Sequence, residues 1–318
     1  MGHKSAVKGS PAVWISISLV TIVFGLMGAV RDYAVQAQEA RPQYQLVKDW
    51  VKLPPGREFG GVSGIAFEAN GLMHVFRRGP ACGGFTRGCK KGDIWTFDPS
   101  GKFVRAWGLG IARRTHFIRV DRFGFIWTSD SDGHTVKKSR PDGTLVMTLG
   151  KYDELGDGPD TFNEPTDALV VPNGDIFVTD GYGNSRVVKF NKDGKFIKTW
   201  GTKGKGPGQF DLPHNIVMDS LGRLIVGDRN NKRIQVFDTE GKYITEWSHL
   251  GSPYGLDIGK DDRLYISDMD NKKVVVANAR DGSLLSTIEG ESHHGIAVDS
   301  AGNIYVTSGM RKFAKTAK

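Results

Sequence analysis

Residues 214–247 read HNIVMDSLGRLIVGDRNNKRIQVFDTEGKYITEW. Four short apolar stretches, each bounded by a polar turn, follow one another in this segment. The same order recurs in 254–288, YGLDIGKDDRLYISDMDNKKVVVANARDGSLLSTI, and in 116–150, HFIRVDRFGFIWTSDSDGHTVKKSRPDGTLVMTLG. Alternating apolar residues joined by Asp-Gly and Asn-Gly turns, such as Asp142-Gly143 and Asn173-Gly174, predict antiparallel hairpins. Copies begin at Ser63, His116, Thr166, His214, Tyr254 and His294, spaced 53, 50, 48, 40 and 40 residues apart. Four strands per unit at this spacing predict an all-β, six-bladed propeller in one domain, residues 44–318.

The last copy is short, with HGIAVD, NIYVTS and Arg311-Lys312-Phe313 before the chain ends. Its missing outer strand stands at the front. Tyr44-Gln45-Leu46-Val47-Lys48-Asp49-Trp50 matches the outer strands KFIKTW and KYITEW. The N-terminal strand is therefore expected to complete the sixth blade and close the ring, which removes exposed sheet edges.

Residues 1–37 differ from the rest. Lys4 and Lys8 precede an uncharged apolar run of 19 residues, Ala12 to Val30, and Val35-Gln36-Ala37 resembles a cleavage site. This is an export signal, either removed or kept as an N-terminal membrane anchor through residues 12–30. Residues 38–43 are a linker. The bulk of the chain is then periplasmic or extracellular, because the positive end stays inside. The formal charge of +8 becomes +6 once Lys4, Lys8, Arg31 and Asp32 are set aside. The remaining Lys and Arg are scattered through turns, which argues against a nucleic-acid partner. The two cysteines, Cys82 and Cys89, suit a local disulfide in an oxidising compartment. A monomer is expected.

His116, His214 and His294 occupy one register in alternate copies. On a closed ring of six, that register places three imidazoles roughly 120° apart about the axis. Three histidines suit a divalent metal of the zinc type and leave a position open for water or substrate. A single histidine is ordinarily a structural residue, and His74, His134 and His249, outside the register, are read so. Loops on the same face carry Arg78, Asp132, Tyr182, Arg229, Met269 and Met310. Tyr182, in DGYGNSR, is either a turn residue covering the channel or a phenol beside the metal. Arg78 and Arg229 are donors for a carboxylate or an oxyanion, unless they pair with acids such as Asp228. Asp180 and Asp228 end second strands and are expected to cap the loops that follow.

The segments EPTDALVVPNGDIFVTDGYGNSRVVKF (164–190), WGTKGKGPGQFDLPHNIVMD (200–219) and VGDRNNKRIQVF (226–237), with SGIAF and VFRRG upstream, resemble NHL-type propellers. They are similar in particular to peptidyl-α-hydroxyglycine α-amidating lyases. The resemblance implies zinc on His116, His214 and His294, a catalytic Tyr182, and active-site arginines at Arg78 and Arg229. It implies cleavage of an α-hydroxyglycine N–C bond, giving an amide and glyoxylate, in a small-molecule or peptide substrate that bears a carboxylate. It also implies a structural calcium held by the main chain at Ile65 and Ile118 and by a carboxylate after the third zinc histidine. That position is Gly295 here, so a calcium-free or weakened site is expected. Gly183 stands where such enzymes often have cysteine. Two other readings remain at this stage. One is a metal-dependent propeller acting on a lactone or another hydroxy acid. The other is a noncatalytic NHL binding scaffold.

Overall fold

The structure is a computed structural model that describes Gly2 and residues 43–79, 92–291 and 293–316. The signal or anchor segment 1–37, most of the linker, and Cys82 and Cys89 lie outside the described residues. Among the described residues no helix is long and apolar enough to cross a membrane. The strands fall in six four-stranded antiparallel sheets. Blades 1 to 5 each run in simple up-and-down order, with inner strands Val62–Phe67, Thr115–Val120, Pro165–Val170, Pro213–Met218 and Pro253–Ile258. Blade 6 has Ile296–Val298 innermost, then Ile304–Val306 and Arg311–Thr316. Neighbouring inner strands contact one another around the whole ring, blade 6 against blade 1 included.

The closing strand is Gln43–Val47, paired antiparallel with Arg311–Thr316 from Gln43↔Thr316 to Val47↔Lys312. Beyond it, Trp50 donates from Nε1 to the carbonyl of Met310 at 2.8 Å and packs on Tyr305. The ring is therefore closed by main-chain pairing and by an aromatic lock.

Apolar alternation does two jobs in this fold. Outer strands such as Phe103–Trp107 keep one face wetter than the other. In blades 1 to 5 the second and third strands are largely buried on both faces, as Leu224–Asp228 and Arg233–Phe237 show. The cause is that each sheet stands between two others. Successive side chains point to opposite neighbours. In blade 4, Leu224 and Val226 pack toward blade 3, while Ile225, next along the chain, packs toward blade 5. Six such apolar clusters fill the six seams between blades.

A repeated carboxylate fixes the loops on one face. Asp130, Asp180, Asp228 and Asp268 end the second strands of blades 2 to 5 and are fully or almost fully buried. Each accepts a backbone N–H from the segment entering its own inner strand: Arg114 at 3.0 Å, Asn163 at 2.9 Å, Asp211 at 2.7 Å and Ser252 at 3.1 Å. In blades 3 and 4 the second oxygen takes an asparagine and an arginine, Asn184 with Arg186 and Asn231 with Arg233. Blade 1 departs from this pattern. Its corresponding residue is Arg77, stacked 3.6 Å over Trp95.

Deleting residues 43–47 should leave Arg311–Thr316 as a bare edge. The expected result is a lower melting temperature together with concentration-dependent association, read by calorimetry and size exclusion. An unchanged, monodisperse protein would show that the ring does not need this strand.

Candidate metal centre

Each inner strand of blades 1 to 5 loses register with its neighbour at the same place. The shift falls between Val62 and Gly64, Thr115 and Ile118, Pro165 and Asp167, Pro213 and Asn215, and Pro253 and Gly255. Inside these shifts stand Ser63, His116 with Phe117, Thr166, His214 and Tyr254. A bulge re-aims a side chain that regular pleating would send elsewhere. Here it turns one residue per blade toward the axis. His294 stands two residues before the inner strand of blade 6, Ile296–Val298.

The three imidazoles meet there. Their ring centroids lie 4.7, 4.9 and 5.0 Å apart, close to an equilateral triangle. One nitrogen from each falls within 4.8 Å of the others, and all three residues are buried. His116 donates from Nδ1 to the carbonyl of Thr166 at 2.6 Å, and Nδ1 of His214 faces Oδ1 of Asn215 at 3.2 Å. These contacts place the ring protons on Nδ1 and leave the Nε2 lone pairs facing inward. The two Nε2 atoms are only 3.1 Å apart. Two lone pairs at that distance repel unless something positive sits between them. In a tetrahedral zinc site with Zn–N of about 2.0–2.1 Å, nitrogens lie roughly 3.3–3.4 Å apart, close to the spacing found here.

Burial keeps these rings neutral, the state that ligation requires. It is the first cause of lowering His214 to about 3, with the Arg229 charge adding to it. Burial also holds His116 and His294 well below the usual histidine range, followed by charges on the neighbouring histidines and arginines. The donor set fits a transition-metal ion.

Tyr182 stands over the triangle. Its hydroxyl lies 3.0 Å from Nε2 of His116 and 3.2 Å from Nε2 of His214. Burial raises its pKa, while Arg229, Arg114 and Arg78 pull the other way. The loop holding it is tight. The Tyr182 N–H meets the carbonyl of Glu164 at 3.4 Å, and a Cβ on Gly183 would fall 2.1 Å from the Asn163 side chain. A side chain at Gly183 would force the Asn163 amide to move.

Arg229 joins the site without a carboxylate partner among the described residues. Its guanidinium lies 3.4 Å from His214 Nε2 and 4.4 Å over the Tyr254 ring. Asp228 binds Arg233 instead, so the two neighbours serve different ends. Arg78 occupies the same register position in blade 1, after Arg77 as Arg229 is after Asp228. It is buried, and its charge reaches His116, His294 and Tyr182.

Sequence reasoning missed Arg114. Its guanidinium lies 4.9 Å over the Tyr182 ring and pairs with Asp132 at 2.8 Å and with Glu164. Asp132 is thus an anchor for Arg114. Met310 does not reach the centre; it packs in the seam between blades 6 and 1. His74 is buried between Glu68 and Thr96, and His249 bonds the carbonyl of Gly282, both structural roles.

With the geometry in place, relatives can be compared. The NHL repeat model matches residues 162–190 and 210–237, which contain Tyr182, His214 and Arg229. The chain carries NHL repeats. It is similar to NHL repeat-containing protein 3 of Homo sapiens, 32% identical over 236 residues, covering 70% of this chain and 65% of that protein. It is similar to the peptidylglycine α-amidating monooxygenase of Rattus norvegicus, 29% identical over 314 residues, 85% of this chain but 32% of that protein. A probable peptidyl-α-hydroxyglycine α-amidating lyase of Caenorhabditis elegans is 31% identical over 211 residues, 58% of this chain and 57% of that protein. The chain thus spans less than two thirds of each of these three relatives. Among solved structures, a streptogramin B lyase superposes with TM-score 0.59 at 17% identity, covering 87% of this chain and 88% of that one. A putative gluconolactonase superposes with TM-score 0.61 at 13% identity, covering 86% and 97%. These two likenesses concern the propeller alone.

Elemental analysis of the purified protein is expected to find a stoichiometric transition-metal ion. The His116→Ala/His214→Ala double variant should lose it, and Tyr182→Phe should keep it. Equal metal in the double variant and the wild type would place the ion elsewhere.

Proposed function

We propose that the chain is an exported, metal-dependent lyase of the α-hydroxyglycine amidating type. The observation that carries this reading is the Tyr182 hydroxyl, within 3.2 Å of two imidazole nitrogens that are oriented to hold a metal, with Arg229 beside them. A noncatalytic scaffold has no use for a buried phenol set on a neutral histidine triangle.

His116, His214 and His294 would hold a zinc-type ion. Bound there, such an ion would polarise the substrate hydroxyl and favour the phenolate form of Tyr182. Without a cation, burial keeps Tyr182 protonated, so its role as a base depends on the metal.

The chain's own groups account for the rest. The substrate is R–CO–NH–CH(OH)–COO⁻. Arg229, with Arg78 across the site, holds the carboxylate and orients the carbinol carbon. Tyr182 as phenolate takes the hydroxyl proton. The C–O pair closes to a carbonyl as the C–N bond breaks, and Tyr182 returns the proton to the departing nitrogen. The products are R–CO–NH2 and glyoxylate, with every atom accounted for. Arg114, wedged between Asp132 and Glu164, keeps the Tyr182 ring in place.

Export to the periplasm or the extracellular space, by residues 1–37 as a cleaved signal or an anchor, belongs to the same proposal. So do a monomeric state and the absence of a nucleic-acid partner.

The test is glyoxylate release from an N-acyl-α-hydroxyglycine by the purified propeller. Wild type should release it in a chelator-sensitive manner. Tyr182→Phe should lower kcat by about 10²–10⁴-fold while retaining the metal. Absence of release by metal-loaded wild type contradicts the assignment.

A further inference from the structure

Below the histidines the channel continues as a cavity of about 430 Å³ lined by the inner strands, with Ile65, Ile118, Arg119, Asp167 and Asp257 among its residues. Arg119 lies three residues beyond His116, roughly 10 Å down the strand. Its guanidinium forms a fork on Asp167, with Nε to Oδ1 at 2.8 Å and Nη2 to Oδ2 at 2.6 Å. It also donates to the carbonyl of Leu256 at 3.1 Å and reaches Asp257 at 3.4 Å. Both carboxylates take backbone donors from further blades. Asp167 accepts the N–H of Ile216 at 3.1 Å, and Asp257 accepts that of Val298 at 2.8 Å. One ionic hub therefore joins blades 2, 3, 4, 5 and 6 across the axis.

The calcium implied by the family resemblance does not fit this channel. The expected carboxylate is Gly295, and no side chain has room there. A Cβ would stand 2.7 Å from Cγ2 of Thr307 and 2.9 Å from the carbonyl oxygen of Ser63. Calcium needs six to eight oxygen ligands. Here the oxygens of Asp167 are already taken by the guanidinium and by backbone N–H groups, and a fixed positive charge stands beside them.

We infer that Arg119 is the built-in structural cation of the central channel, so that the propeller closes around buried Asp167 and partly buried Asp257 without calcium. This does not depend on the lyase reading, because the hub lies outside the machinery above. A guanidinium suits the task. It matches a carboxylate with two parallel hydrogen bonds and stays charged when buried. Removing it would leave Asp167, almost fully buried, without its counter-charge, and an uncompensated buried charge is strongly destabilising.

Two measurements test this. First, equilibrium dialysis of the wild-type chain, metal-loaded at the histidines, against millimolar calcium chloride should show no tightly bound calcium and no change in melting temperature. A tightly bound stoichiometric calcium, or a marked calcium-dependent rise in melting temperature, overturns the inference even if no variant can be made. Second, Arg119→Met should lower the melting temperature by about 6–15 °C. Arg119→Lys, which keeps the charge but not the fork, should lose less. An Arg119→Met variant as stable as wild type would also overturn it.

Discussion

Five residue pairs between Gln43–Val47 and Lys312–Thr316 hold the first and last strands of the propeller together. Everything at the centre depends on that pairing. Each histidine sits on a different blade, His214 standing 98 positions after His116 and His294 80 positions after His214. No local structure could bring them within 5 Å. Ring closure sets their angular positions, and the bulge at each inner strand turns the side chains inward. The apolar seams between blades make the arrangement stiff, because the middle strands of blades 1 to 5 are largely buried on both faces.

The axis then divides into two electrostatic storeys. The upper one gathers neutral imidazoles, a phenol and arginines, a field short of negative charge. It suits a metal ion held by neutral nitrogen donors and a substrate that brings a carboxylate. In the lower storey the single positive charge of Arg119 is shared by Asp167 and Asp257. Separating the two matters physically. Carboxylates close to the histidines would raise their proton affinity and compete for the ion. Instead the carboxylates are sequestered further down, each tied to backbone donors.

Much of this was legible in the sequence. Blade count followed from the repeat spacing, and the closing strand from the match of YQLVKDW to outer strands. The histidine triangle followed from register alone. Tyr182 and Arg229 followed because loops between second and third strands share the histidine face. Three features were not legible, for separate reasons. The bulges leave no compositional mark, since Ser, His, Thr and Tyr occupy the same turn of backbone. Arg114 gains its role from Asp132 and Glu164, which come from two different loops and meet only after folding. Arg119 reads as an ordinary surface arginine in an alternating strand. The available signal was that Asp167 and Asp257 also place charges on innermost strands, where solvation is poor. Gly295, noted as a missing ligand, proved to be a packing requirement against Thr307 and Ser63.

The central claim is that the three register histidines hold one transition-metal ion on the propeller axis. X-ray absorption at the edge of the bound metal, on protein purified without added metal, tests it most directly. The account predicts a first shell dominated by three imidazole nitrogens at about 2.0–2.1 Å, with further ligation by oxygen only. A shell of carboxylate oxygens or sulfur without the imidazole signature would contradict it.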